Sequence, residues 1–215
     1  MGLFITFEGG EGCGKSTQAR RLANWLKGDG YDVLLTHEPG GTALGEELRR
    51  CLKKGRDGDV VAEAELLMFA AARSQLTVTR IVPKLAQGGI VLCDRYTDST
   101  VAYQGYGRGL SIDTISDVNR IATKGLVPDL VVLLDMDPAR ALQRKKSARD
   151  RFEHESPSFH ERVRNGYLSL ARAEPARWLV LDATQSPGIT TRDVRTRVSS
   201  LLAANPTIKR LSSQG

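Results

Sequence analysis

Gly9, Gly14, Lys15 and Ser16 stand in the spacing G-x-x-x-x-G-K-S, within the stretch GGEGCGKST. Glycines let successive backbone N–H groups turn inward around an anion. A helix beginning near the lysine adds the positive end of its dipole. Lys15 can then reach terminal phosphates, and the Ser16 hydroxyl offers a hard oxygen to Mg²⁺. The whole loop, Gly9, Gly10, Glu11, Gly12, Cys13, Gly14, Lys15, Ser16 and Thr17, is the expected cradle for the phosphates of a nucleoside triphosphate such as ATP. Cys13 is expected to contribute only its backbone. Glu11 is the odd member, a carboxylate in a loop built for anions.

Other groups fall where they could complete such a site. Asp94-Arg95-Tyr96 follows an apolar run, so Asp94 could hold the Mg²⁺ shell through water and Arg95 a substrate phosphate. Phe69 and Arg73 are four apart on a helical pattern and share a face, suiting a base that stacks on the ring and accepts from the guanidinium. Ser99 with Tyr103, and Thr100 with Gln104, repeat that spacing and could wall a base-and-sugar pocket. Farther on, Arg140, Arg144, Lys145, Lys146, Arg149 and Arg151 form a local basic run.

These residues need a scaffold that brings them to one edge. Five apolar segments read as strands: 3–7, 31–36, 89–94, 129–135 and 177–183. DLVVLLD at 129–135 is the most apolar and is expected at the sheet's centre. Helical patterns separate them at 15–27, 45–54, 62–85, 111–122, 138–146, 158–174 and 190–204, with Pro83 expected to kink or break the long third one. Strands without alternation, separated by helices, imply a five-stranded parallel α/β sheet covered on both faces. Ligands of such sheets gather beyond the carboxyl ends of the strands, where both the phosphate loop and Asp94-Arg95 would lie. The charged stretch 145–157 fits a lid between two helices. One domain over 1–208 and a flexible tail at 209–215 are expected, with fraying from Asn205 onward.

Composition narrows the class. The 215 residues are 40% hydrophobic and 26% charged, ordinary for a globular domain. No apolar run reaches membrane-spanning length. Three widely spaced cysteines, Cys13, Cys51 and Cys93, form no disulfide framework or zinc pattern, which favours a reducing cytoplasm. The net charge of +6 could suit nucleic acid, but aromatics are only 6% and the basic residues concentrate in one segment rather than on a stacking platform. A guanine-nucleotide switch is disfavoured too, because no N-K-x-D stretch occurs. Neither a nucleic-acid nor a membrane partner is expected.

The chain resembles the bacterial thymidylate kinases, a family of nucleoside monophosphate kinases built on the phosphate-loop fold. The carrying stretches are FEGGEGCGKST, EPGGT, LLMFAAARSQL, DRYTDSTVAYQGYGRGL, PDLVVLLDMDP, DRFE and LDAT, in family order from residue 4 to 184. The resemblance implies Mg²⁺-dependent transfer of a phosphoryl group from ATP to dTMP, giving dTDP, by a homodimer. A relative of the same architecture acting on another deoxynucleoside monophosphate is the alternative. The resemblance also implies roles. Phe69 stacks on thymine, Arg73 serves its O4 and Thr100 its N3. Tyr103 crowds the ribose 2′ position, Gln104 and Ser99 line the pocket, Arg95 binds the acceptor phosphate, and Glu11 takes the sugar 3′-OH. With Gly12 after Glu11, the loop carries no arginine, so the transition-state cations are expected from the lid as Arg149 and Arg151, beside Lys15 and Arg95. One departure stands out: His37 precedes EPGGT where the family usually has arginine, and Arg49 is a candidate to compensate.

Overall fold

The computed structural model describes residues 2–54, 60–144, 151–208 and 210. The elements run β1 (Leu3–Glu8), α1 (Lys15–Gly28), β2 (Val33–His37), α2 (Ala43–Lys54), α3 (Ala62–Leu76), α4 (Val82–Ala86), β3 (Ile90–Asp94), α5 (Thr97–Thr100), α6 (Ile112–Thr123), β4 (Leu130–Asp135), α7 (Pro138–Gln143), α8 (Pro157–Ala173), β5 (Trp178–Asp182) and α9 (Pro187–Ala204). The strands form one parallel sheet in the order β2-β3-β1-β4-β5.

The expected parallel architecture holds, but its centre is β1 and not β4. β4 lies one strand out, between β1 and β5. Both are buried on two faces, so apolar content alone cannot separate them. Leu3, Ile5 and Phe7 of β1 join Leu130, Val132 and Leu134 of β4 in a cluster with Ala19, Leu22 and Leu26 of α1 and Val194 and Val198 of α9. On the opposite face Val131 and Leu133 pack with Phe159, Val163 and Tyr167 of α8. Phe4 packs there with Leu76, Val91 and Tyr96.

Register sets the rim. Phe7 is level with Asp94, and Asp94 is level with His37 on its other side. The loops after β1, β2 and β3 therefore leave the sheet side by side.

Two helical stretches depart from the α pattern. The long third helix is not broken before Pro83. A π-helical turn, Thr77–Ile81, joins α3 to α4, and Pro83 occupies the first turn of α4. Proline cannot donate to the carbonyl four residues back, and the wider π turn lets the rod continue. A second π segment, Val101–Gly107, extends α5 into a helix for which no full helical span was expected. Ser111 caps α6 by accepting from the Thr114 N–H, as its type suggested. Of the tail, residues up to 208 and residue 210 are described: Ile208 is buried against the core, and Arg210 pairs with Tyr31 in an isolated bridge and lies over its ring.

Candidate active site

A single cleft of about 840 Å³ opens at the strands' carboxyl ends and runs from the phosphate loop to α3 and α5. Glu11, Gly12, Gly14, Lys15, Ser16 and Thr17 line one end. Phe69, Arg73, Ser99, Thr100, Tyr103 and Gln104 line the other, with Asp94 and Arg95 between them. Gly9, Gly10 and Cys13 form the far wall of the loop, where the Gly10 carbonyl accepts from Lys15 Nζ at 2.6 Å and from the Cys13 thiol at 3.0 Å.

Gly12 shows why the loop needs glycine. Its φ is +74°, and a Cβ there would sit 2.1 Å from the Ala141 carbonyl oxygen. The loop is thus pressed directly against α7. Gly14, at φ +99°, precedes the first turn of α1 and leaves its N–H groups facing the cleft end. Ser16 Oγ donates to Asp94 Oδ2. A hydroxyl beside a carboxylate is a fitting hard-oxygen pair for Mg²⁺. Among the described residues there is no group of three or more His, Cys, Asp or Glu side chains that could hold a metal ion.

Arg95 links the two ends. It is a non-glycine residue at φ +73°, a conformation that side chains adopt only when the surroundings impose it. Its guanidinium donates to Gly9 O at 3.2 Å, Ser99 Oγ at 3.1 Å, Tyr167 Oη at 3.1 Å and Tyr103 Oη at 3.1 Å. It also forms an ion pair with Glu11. Glu11 is therefore held against Arg95 while still lining the cleft. Beneath them, Glu8 is fully buried and accepts from Tyr96 N at 2.8 Å, Ser99 Oγ at 2.6 Å and Tyr167 Oη at 3.0 Å. Burial, with the nearby Asp98 charge, pushes its carboxyl up to about 7 against the pull of Ser99, Arg95 and the Tyr96 N–H. Burial likewise holds the Tyr103 and Tyr167 phenols above their usual range, so both keep their protons.

Arg73 is 1% exposed and organises the end of the cleft away from the phosphate loop. It donates to Glu38 Oε2 at 2.7 Å, Thr100 Oγ1 at 2.8 Å, Asn119 Oδ1 at 2.7 Å and the Tyr96 carbonyl at 3.0 Å. Burial raises the Glu38 carboxyl to about 7, with Arg73 opposing the shift. Phe69 lies 5.9 Å, centroid to centroid, from Phe152, which is itself 6.1 Å from Tyr103.

The basic segment departs from expectation. Arg149 lies outside the described residues. Arg151 does not face the phosphate loop: it is 4% exposed, donates to the Leu52 carbonyl at 3.2 Å and pairs with Glu65. A buried carboxylate and a backbone carbonyl near the end of α2 hold its guanidinium. Arg144 instead lines the cleft, one turn beyond Ala141, and donates to the Ala183 carbonyl at 2.8 Å. His37 also reaches the cleft, but its Nε2 pairs with Glu46 Oε1 at 3.1 Å, and the same oxygen accepts from Gly41 N at 2.9 Å. His37 thus braces the turn after β2, while Arg49 lines the cleft and donates to Pro39 O at 3.0 Å.

Sequence reasoning gave no site role to Glu8, Glu38, Glu65 or Phe152, and read Arg144 only as part of the basic run. Glu65 had a signal: with Phe69 and Arg73 it forms an i, i+4, i+8 stripe on one helix face. Glu8 ends β1 and Glu38 directly follows β2, the position from which ligands are approached.

A parallel sheet with a phosphate loop after its central strand, and a second pocket sharing the same cleft, defines a nucleotide kinase of the phosphate-loop class. Comparison with known proteins agrees in detail. The family model for thymidylate kinase matches residues 7–194. The chain is 54% identical to a thymidylate kinase of Dehalococcoides mccartyi, over 94% of this chain and 98% of that one. It is 48% identical to one from Solidesulfovibrio magneticus, over 93% and 100%. The crystal structure of thymidylate kinase from Ehrlichia chaffeensis superposes with a TM-score of 0.78 at 34% identity, over 92% of this chain and 98% of that one. The chain belongs to the thymidylate kinase family.

Proposed function

We infer that the chain transfers the terminal phosphoryl group of ATP to dTMP, forming dTDP and ADP. The observation that carries this is the continuous cleft, with a phosphate-binding loop at one end and an aromatic ring beside a buried arginine at the other. Phosphoryl transfer demands positioning and positive charge more than a strong base. The loop amides and Lys15 hold the donor phosphates. Phe69 stacks on the base, Arg73 and its partner Thr100 face its polar edge, and Tyr103 packs against the sugar. Arg95 takes the acceptor phosphate, and Glu11, already paired with it, lies where a sugar hydroxyl could donate. Arg144 supplies charge on the donor side, and Arg149 remains the lid arginine of this reading.

Mg²⁺ would be held by Ser16, with Asp94 through water, and would neutralise charge on the phosphates. A homodimer is favoured by exposed apolar side chains on neighbouring helices: Leu67 of α3 is 60% exposed, Ile121 of α6 is 74%, and Val78 and Val82 continue the row. Cys13, Cys51 and Cys93 are free thiols, which suits a reducing cytoplasm, and no helix among the described residues is long and apolar enough to cross a membrane. The test is ADP formation from Mg²⁺-ATP with individual monophosphates. Strong stimulation by dTMP is expected; a rate equal to that without acceptor would overturn the reading. Sedimentation velocity tests the dimer, with a single species of about 23.5 kDa as the contrary result.

A further inference from the structure

One buried carboxylate gathers three donor side chains from two separate segments, Gln104 and Arg108 at the π-helical stretch and Arg151 far along the chain. Glu65, in the first turn of α3, has no exposed surface. Its Oε1 accepts from Gln104 Nε2 at 2.7 Å and from Arg108 Nε at 3.2 Å. Its Oε2 accepts from Arg108 Nη2 at 3.2 Å and from Arg151. Arg108 is anchored further by Glu155 at 2.5 Å.

The two guanidiniums fix the polarity of the neighbouring amide. A carboxylate held between arginines is an acceptor only. Gln104 must therefore present its NH₂ to Glu65. Turning the amide over would set two oxygens against each other in a buried setting, an arrangement that costs the full desolvation of both. Gln104 is 1% exposed and lines the cleft, so its carbonyl oxygen is the group left to a ligand there. Thr100, the residue first expected to serve the ring nitrogen, already receives an Arg73 N–H on its oxygen at 2.8 Å.

Ring N3 is a donor in thymine and uracil and an acceptor in cytosine. We propose that Glu65 is a specificity-determining positioning residue: by holding the NH₂ of Gln104 it leaves the carbonyl to accept N3–H of a thymine-type base. Through Arg151, the same carboxylate anchors the turn that sets Phe152 beside Phe69 in the same pocket. Base selection and placement of that turn then share one charge. The inference rests on the functional reading above and deepens it.

The experiment compares kcat/KM for dTMP and dCMP in wild type, Glu65→Gln, Gln104→Met and the double variant, with circular dichroism as a check of folding. Glu65→Gln lets residue 65 donate as well as accept, so the sense of the Gln104 amide is no longer imposed. The dTMP-over-dCMP preference should fall about tenfold or more, mostly through KM for the monophosphate. KM for ATP should stay within about twofold, which a general loss of structure would not allow. Gln104→Met should lose the same preference, and the double variant should lose no more than either alone. An unchanged preference in either single variant, or losses that multiply in the double, would overturn the proposal. If Glu65→Gln fails to fold, Gln104→Met alone decides it. A wild-type protein inactive on dTMP would instead defeat the functional reading, and this inference with it.

Discussion

The two ends of the cleft are built from different materials. The end proposed for the donor is mostly backbone: a loop of six residues between β1 and α1, shaped by positive-φ glycines and pressed onto Ala141. The end proposed for the acceptor is mostly side chain. Arg73 alone ties together Glu38, Tyr96, Thr100 and Asn119, and Glu65 ties together Gln104, Arg108 and Arg151. A backbone cradle recognises what all nucleoside triphosphates share. A side-chain lattice can be set for one base. The contrast means that donor binding should depend on local chain geometry, and acceptor binding on ion pairs formed across long sequence separations.

The contrast can be broken most forcefully at Arg73. Replacing it by Met leaves Glu38 buried without its partner, and unfolding in urea should show a loss of about 3–5 kcal/mol. A loss below about 1 kcal/mol would mean that the acceptor end is not organised on this pair. Lys15→Met should do the reverse. It is expected to lower kcat by about 10²–10³-fold, as for other lost transition-state donors, with little change in the urea midpoint. A comparable loss of stability would make Lys15 a scaffold residue.

A smaller effect concerns pH. The Glu38 carboxyl, at about 7 in the folded chain against an ordinary 4.5, binds its proton more tightly when folded. Its contribution to stability is complete below about pH 4.5 and is lost as pH rises through about 7. Glu8 acts with the same sign over the same window. The thermal midpoint of Glu38→Gln should therefore fall less than that of wild type between about pH 5 and pH 8. Parallel curves would show that Arg73 keeps Glu38 ionised throughout. The least effect is expected at Glu46→Gln. The His37–Glu46 pair is 43% and 46% exposed, so its loss should cost under about 1 kcal/mol. A larger cost would give the turn after β2 a weight that its exposure does not suggest.

The same contrast explains what could be read in advance. The phosphate loop is contiguous and its spacing carries its own mechanism, so residues 9–17 were legible from residue types alone. The strand and helix pattern was legible because both faces of the sheet demand unbroken apolar runs. β1's central place was not, since β1 and β4 are equally buried. Neither π turn carries a sequence signal; Val101–Gly107 became visible only as the rod that sets Tyr103 and Gln104 into the cleft. The acceptor lattice was legible in part, because Phe69, Arg73, Ser99, Thr100, Tyr103 and Gln104 share helical spacings. Its carboxylates were hidden, because Glu38 meets Arg73 across 35 residues and Glu65 meets Arg151 across 86. The partners of Arg151 were hidden for the same reason. A basic run reads as solvent-facing or catalytic, and only the fold reveals a buried acid waiting for it.

Calorimetric titration of Ser16→Ala and Phe69→Ala with Mg²⁺-ATP and, separately, with dTMP tests the division most directly. Ser16→Ala should weaken Mg²⁺-ATP and leave dTMP within about twofold. Phe69→Ala should weaken dTMP by about 1–3 kcal/mol, the cost of a lost stacking ring, and leave ATP unchanged. If each substitution weakens both ligands alike, the two ends are one coupled site and the account is wrong.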